Sequence, residues 1–245
     1  MAFQSKRMTH VNGDMHHLGV KEADITKEVI LIPDPLLVPF LASFMDEAEP
    51  KGDYREYVTY TGKVAGRPLT VMSSGFGCMP MAIAVEELKH LGVEKIIALG
   101  LTAAIQPELK PGALFLAQGA VRSEGATLEY IDYPYPAVSD MELLAALAEL
   151  TGAAVGIVRS HDATYRDSPF APDGLERIAR WQRLGVGVMD GETSALFVLG
   201  TILKVRCVSL CVVAENYLTG ESLNEAARQD ALKTAFLAAA KAIAL

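Results

Sequence analysis

Short β-branched apolar runs recur along this chain, and most are followed by a stretch with helical periodicity. Residues 28–33 (EVILIP), 95–100 (KIIALG), 153–159, 186–189 and 206–214 read as buried strands, with 113–121 a longer one. Residues 57–64 and 68–73 read as paired strands turning at Ala65-Gly66-Arg67. Helices are predicted over 36–45, from Met79 to Gly92, over 140–150, 174–183 and 192–203, and after Leu223. Strands apolar on both sides need helices on both sides. The pattern therefore predicts an α/β chain folded as a three-layer α/β/α single domain around a mixed, largely parallel central sheet.

A chain of 245 residues is long enough to bury most of its apolar surface in one core, so residues 16–245 are expected to form one domain behind a flexible leader over 1–15. An apolar content of 51% and a mean hydropathy of +0.24 fit much buried surface, including a subunit interface. The net charge of −8 and pI near 5.2 exclude a surface that neutralises a nucleic-acid backbone. The first fifteen residues hold no apolar stretch of signal-peptide length and no uncharged run of the chain spans a bilayer, so a cytoplasmic protein with no membrane partner is expected. Cys78, Cys207 and Cys211 lack the C-x-x-C spacing of redox and zinc sites and read as packing residues; no metal site is predicted.

The most informative local feature is 73–78 (SSGFGC), a glycine turn that ends a strand and opens a helix. Backbone of this kind can approach a ligand closely while the helix offers its positive end. With that turn as an anchor, 16–19 (HHLG), 54–57 (YREY), 83–88 (IAVEEL) and 100–107 (GLTAAIQP) fall in a recognisable order, continued by 119–126 (GAVRSEGA), 135–140 (YPAVSD), 160–165 (SHDATY) and 191–196 (GETSAL). In these segments the chain resembles the nucleoside phosphorylase family, its uridine phosphorylase members most of all. The likeness runs across nearly the whole chain after the leader.

The resemblance implies a protein that splits the N-glycosidic bond of a nucleoside with phosphate, without metal or organic cofactor. It implies that Gly75 and Gly77 form the ligand-binding glycine turn, and that Thr164 and Tyr165 lie where the family stacks an aromatic ring on the base. His17 matches a histidine that reaches the sugar 5′-hydroxyl of a neighbouring subunit, and Arg55 an arginine that crosses the same interface to phosphate. A homo-oligomer follows, a dimer at least and in relatives often a hexamer of dimers. Glu192 is the match for the ribose-binding, catalytic glutamate. The family has two glutamates around a methionine before Ser-Ala, where this chain has Gly191-Glu192-Thr193 before Ser194-Ala195, so the match needs a one-residue shift of register; without it Glu192 is an ordinary acid of the first helical turn.

Several departures from the family bear on phosphate. Its Gly-Asp-Pro-Asp-Arg turn corresponds to Pro33-Asp34-Pro35-Leu36-Leu37, its second phosphate arginine to Ala98, and its phosphate-binding threonine to Leu101, with Thr102 adjacent. Each charged hydrogen bond to phosphate is worth about 1.5–3 kcal/mol, so losing two arginines weakens phosphate binding by about two to four orders of magnitude. The pyrimidine-reading residues have no match in 166–170 (RDSPF), and Tyr217 stands for a base-loop arginine. Two functions are compatible with this. One is a divergent glycosidic-bond enzyme, a hydrolase if water replaces phosphate, with Glu192, Asp162 and Glu215 the carboxylates available to it. The other is a catalytically silent protein that binds a nucleoside-like or other small molecule, with Arg122, Arg159 and Arg166 as possible replacements for the missing charge.

Overall fold

β1 (Glu28–Ile32), the EVILI run, lies at the centre of the sheet in a computed structural model that describes residues 8–163 and 174–245. It pairs in parallel with β4 (Arg67–Ser73) on one side and β5 (Lys95–Ala104) on the other. β3 (Tyr57–Val64) and β2 (Asp46–Tyr54) extend the first side as antiparallel strands. On the other side β5 pairs in parallel with β10 (Arg206–Asn216) and, at Ala103 and Ala104, antiparallel with β9 (Val186–Asp190). β9 then pairs with β8 (Ala154–His161), β8 with β6 (Leu114–Ser123), and β6 with β10; the short β7 (Ala137–Val138) pairs on β6.

Strands β5, β9, β8, β6 and β10 thus close on one another in a ring. The sheet is mixed, as the sequence predicts, but antiparallel pairing is more prominent than expected because both β2–β4 and the closure of the ring use it. α2 (Cys78–His90) and α5 (Thr193–Leu203) cover one face around Leu88, Leu196 and Phe197. α1 (Val38–Ala42), α3 (Met141–Thr151) and α6 (Glu225–Ile243) cover the other around Leu41, Leu147 and Phe236. α4 (Gly174–Arg183) packs beside β9 through Ile178. These helices on both faces make the predicted single α/β domain.

Two local expectations change. The helix predicted over 36–45 is a 3-10 turn at Pro35–Leu37 followed by the five-residue α1, since Pro39 has no N–H for a helical bond and fits only a first turn. Beyond it runs β2, whose sequence DEAEPKGDY carries no alternating apolar signal because it is the edge strand, largely exposed. Its charges, Pro50 and two register shifts discourage pairing with another edge. Within the segment expected to be a loose leader, Thr9 and Met15 form an antiparallel bridge and Met15 is fully buried.

A cleft at the ends of the strands

A cleft of about 680 Å³ opens where the carboxyl ends of β1, β4, β5, β8, β9 and β10 converge, lined among others by Pro33, Gly77, Thr102, His161, Glu192 and Tyr217. Crevices at strand carboxyl ends are where α/β proteins place ligands, and this volume suits a small one.

The glycine turn forms one wall. Gly75 has φ +71 and Gly77 φ +98. A Cβ on Gly75 would also lie 2.9 Å from Glu56 Cγ and 3.0 Å from Pro80 Cβ, so both conformation and space demand glycine there. Gly77 is the N-cap of α2 and, having no side chain, leaves the helix start uncapped from within.

Glu192, at the N-cap of α5, comes from across the cleft. Its Oε1 accepts the Gly77 N–H at 2.9 Å and its Oε2 the Gly191 N–H at 3.2 Å. The Glu192 carboxylate thus turns toward the cleft, which it lines. Burial pushes Glu192 up to about 7, the Asp190 carboxylate adds to the rise, and the two N–H donors oppose it. Asp190 is itself pushed up by burial, against hydrogen bonds that favour its charge. Those come from Ser160 Oγ at 2.6 Å and from the Thr193 N–H and hydroxyl, and Ser160 Oγ in turn accepts the Ser194 N–H at 2.9 Å.

The remaining residues singled out by the sequence divide. Thr102 lines the cleft, although its hydroxyl donates to the Met189 carbonyl. Tyr217, Leu37 and Leu101 line it too, whereas Ala98 belongs to the core beneath. Asp162 and Glu215 are also on the wall. His17 and Arg55 are not. His17 Nδ1 lies 2.8 Å from the buried Glu87 carboxylate, which also accepts the His17 and Leu18 N–H groups. Arg55 sits exposed in the turn between β2 and β3 with its guanidinium 5.4 Å from the Tyr54 ring centroid. Thr164, Tyr165 and Arg166 lie outside the described residues.

Neither other arginine considered as a replacement reaches this cleft. Arg122 donates to the carbonyls of Thr127, Ile131, Asp132 and Tyr135 and so ties down the loop after β6. Arg159 donates to Ser123 Oγ and lies over Trp181. Among the cleft residues that sequence reasoning did not single out are two charged ones, Asp190 and Arg228. Asp190 stands where the family's first glutamate would be once Glu192 takes the second position, a shift visible in the sequence had Asp been accepted for Glu.

A closed, mixed sheet covered by helices on both faces is a phosphorylase-type fold, and the chain belongs to the Phosphorylase superfamily, whose pattern matches residues 27–245. Within it the chain is uridine phosphorylase-like. It is 35% identical over 221 residues to the uridine phosphorylase of Thermococcus kodakarensis, covering 85% of this chain and 80% of that one. It is 34% identical over 212 residues to the guanosine phosphorylase of Halorubrum lacusprofundi, covering 83% and 84%. A crystal structure of uridine phosphorylase from Vibrio fischeri superposes with a TM-score of 0.86 at 30% identity, covering 95% of this chain and 97% of that one. Among the described residues no helix is long and apolar enough to cross a membrane.

Proposed function

We propose that this chain cleaves the N-glycosidic bond of a nucleoside, using phosphate as an acceptor that it holds more weakly than its relatives do. The observation that carries this reading is the Glu192 carboxylate, aimed into the cleft and fixed there by the Gly77 and Gly191 N–H groups. A carboxylate held in this way accepts hydrogen bonds from the ribose hydroxyls. It also stabilises positive charge at the anomeric carbon as the bond to the base lengthens. A phosphate oxygen then bonds to that carbon, and the base nitrogen leaves with the electron pair and takes up a proton. The products are a free base and ribose 1-phosphate. The uridine and guanosine phosphorylases among its relatives support this class of reaction.

Weak phosphate binding is supported by Leu37 and Leu101 on the cleft wall. In this reading Gly75, Gly77 and Thr102 serve the acceptor and Tyr217 the base, with the base-stacking role assigned to Thr164 and Tyr165, which lie outside the described residues. His17 and Arg55 lie off the cleft of their own chain, so a second copy supplies them, His17 to the 5′-hydroxyl and Arg55 to phosphate. The active form is then a homo-oligomer.

The test is to incubate the protein with a panel of nucleosides, with and without phosphate, and to follow free base. Release that depends on phosphate is the expected result. Equal release without phosphate replaces the proposal with hydrolysis, and silence with every nucleoside, alongside measurable ligand binding, replaces it with a binding protein.

A further inference from the structure

Arg228 sits in the first turn of α6, behind the N-cap Asn224. It is the one Lys or Arg among the described residues that line the cleft, which Pro33, Leu37 and Leu101 line as well. Its Nε is buried from solvent and has no hydrogen-bond partner. Asp34 and Glu215 line the same cleft, but no ion pair joins either to Arg228; Asp34 instead accepts the Leu36 N–H at 2.9 Å.

A guanidinium N–H left buried and unpaired is costly, and that cost is relieved when a ligand in the cleft draws the group onto an acceptor. Its planar set of donors matches an oxyanion, and phosphate best of all. Carboxylates elsewhere in the cleft would repel such a ligand, so a cation is required where it docks.

We propose that Arg228 is the anion-binding residue of this cleft, receiving a phosphate-class oxyanion in place of the arginines whose positions hold Leu37 and Ala98. The proposal rests on the preceding reading for the place of the anion, and adds a binding residue from a helix that carries none of the segments through which the family was recognised. Either free phosphate or the phosphoryl group of a larger ligand presents this chemistry.

Calorimetric titration of the full chain with inorganic phosphate and, separately, with ribose 1-phosphate distinguishes the two sources. Arg228→Gln is expected to weaken the dissociation constant about 10- to 100-fold for at least one probe, with Arg228→Lys intermediate. The affected probe names the source. Arg228→Met, which keeps the aliphatic stem, carries the same expectation should the Gln variant fold poorly. Affinities unchanged in both variants, or no binding of either probe by the wild-type protein, overturn the proposal. Base release by the wild-type protein is scored separately. Its absence with phosphate binding intact removes the glycosidic-bond reading and leaves Arg228 standing, whereas release with phosphate affinity indifferent to Arg228 does the reverse.

Discussion

The Glu192 carboxylate and the Gly77 N–H, 115 positions apart in the chain, meet at 2.9 Å across the cleft. This contact joins the start of α5 to the start of α2. It also gives Glu192 two constraints that a solvated acid lacks, a fixed direction and a raised affinity for protons.

Replacing Glu192 by Gln is expected to lower base release about 100-fold or more, as losing one stabilising group commonly does. On the proposed reading the ionised carboxylate is the active form, so release by the wild-type protein should rise with pH through about 7 and level off above. A variant that keeps this rise would assign it to another group.

The same proton has a stability effect of opposite sign. The folded state holds the Glu192 proton more tightly than the usual carboxylate, whose value is 4.5. Its contribution is therefore complete below about pH 4.5 and is lost as pH rises through about 7, amounting to about 3 kcal/mol. Urea denaturation at pH 5 and pH 8 should show wild type losing about this much relative to Glu192→Gln. Parallel stability profiles would contradict it.

Gly75→Ala is expected to cost about 2 kcal/mol, from left-handed backbone and from crowding against Glu56 and Pro80. Gly77→Ala meets no atom within 4 Å and is strained by conformation alone, at φ +98 and ψ 168. It should nevertheless reduce activity, because it displaces the N–H that holds Glu192. Thermal melts with paired assays separate the two effects.

Glu87 is 3% exposed and gathers the His17 and Leu18 N–H groups and the His17 ring. Truncation to Ala leaves buried donors unpaired and should cost about 3 kcal/mol in chemical denaturation. A loss below about 1 kcal/mol would mean that the segment around His17 is held by other contacts.

If His17 and Arg55 serve a neighbour's cleft, light scattering at micromolar concentration should return a dimer or a multiple of it. A monomer that retains base release would remove both residues from the site.

How much of this was legible depends on where each residue faces. β1 and β5 were readable because both of their sides are buried, leaving EVILI and KIIAL without polar interruptions. β2 was not, because an exposed edge strand selects charge over alternation. Helix 36–45 shortened because Pro39 caps what periodicity alone would extend. The glycine turn was readable from its residues, whereas Glu192 came from the family resemblance and only the fold shows which way its carboxylate faces. Arg228 was invisible, since an arginine in the first turn of an otherwise polar stretch looks like any solvated side chain until β10 and α6 bring it to the cleft.

The closure of β5, β9, β8, β6 and β10 reaches beyond architecture. A circle of strands has no terminal member to peel away, and freeing any one of its strands severs two seams at once. Amide protons within β5 and β10 should therefore exchange with deuterium only through global unfolding, while those of β2 exchange by local fraying. Asp190 ends β9, a member of that ring, so rearrangement around a bound ligand is expected to come from the segments between the strands rather than from the strands themselves.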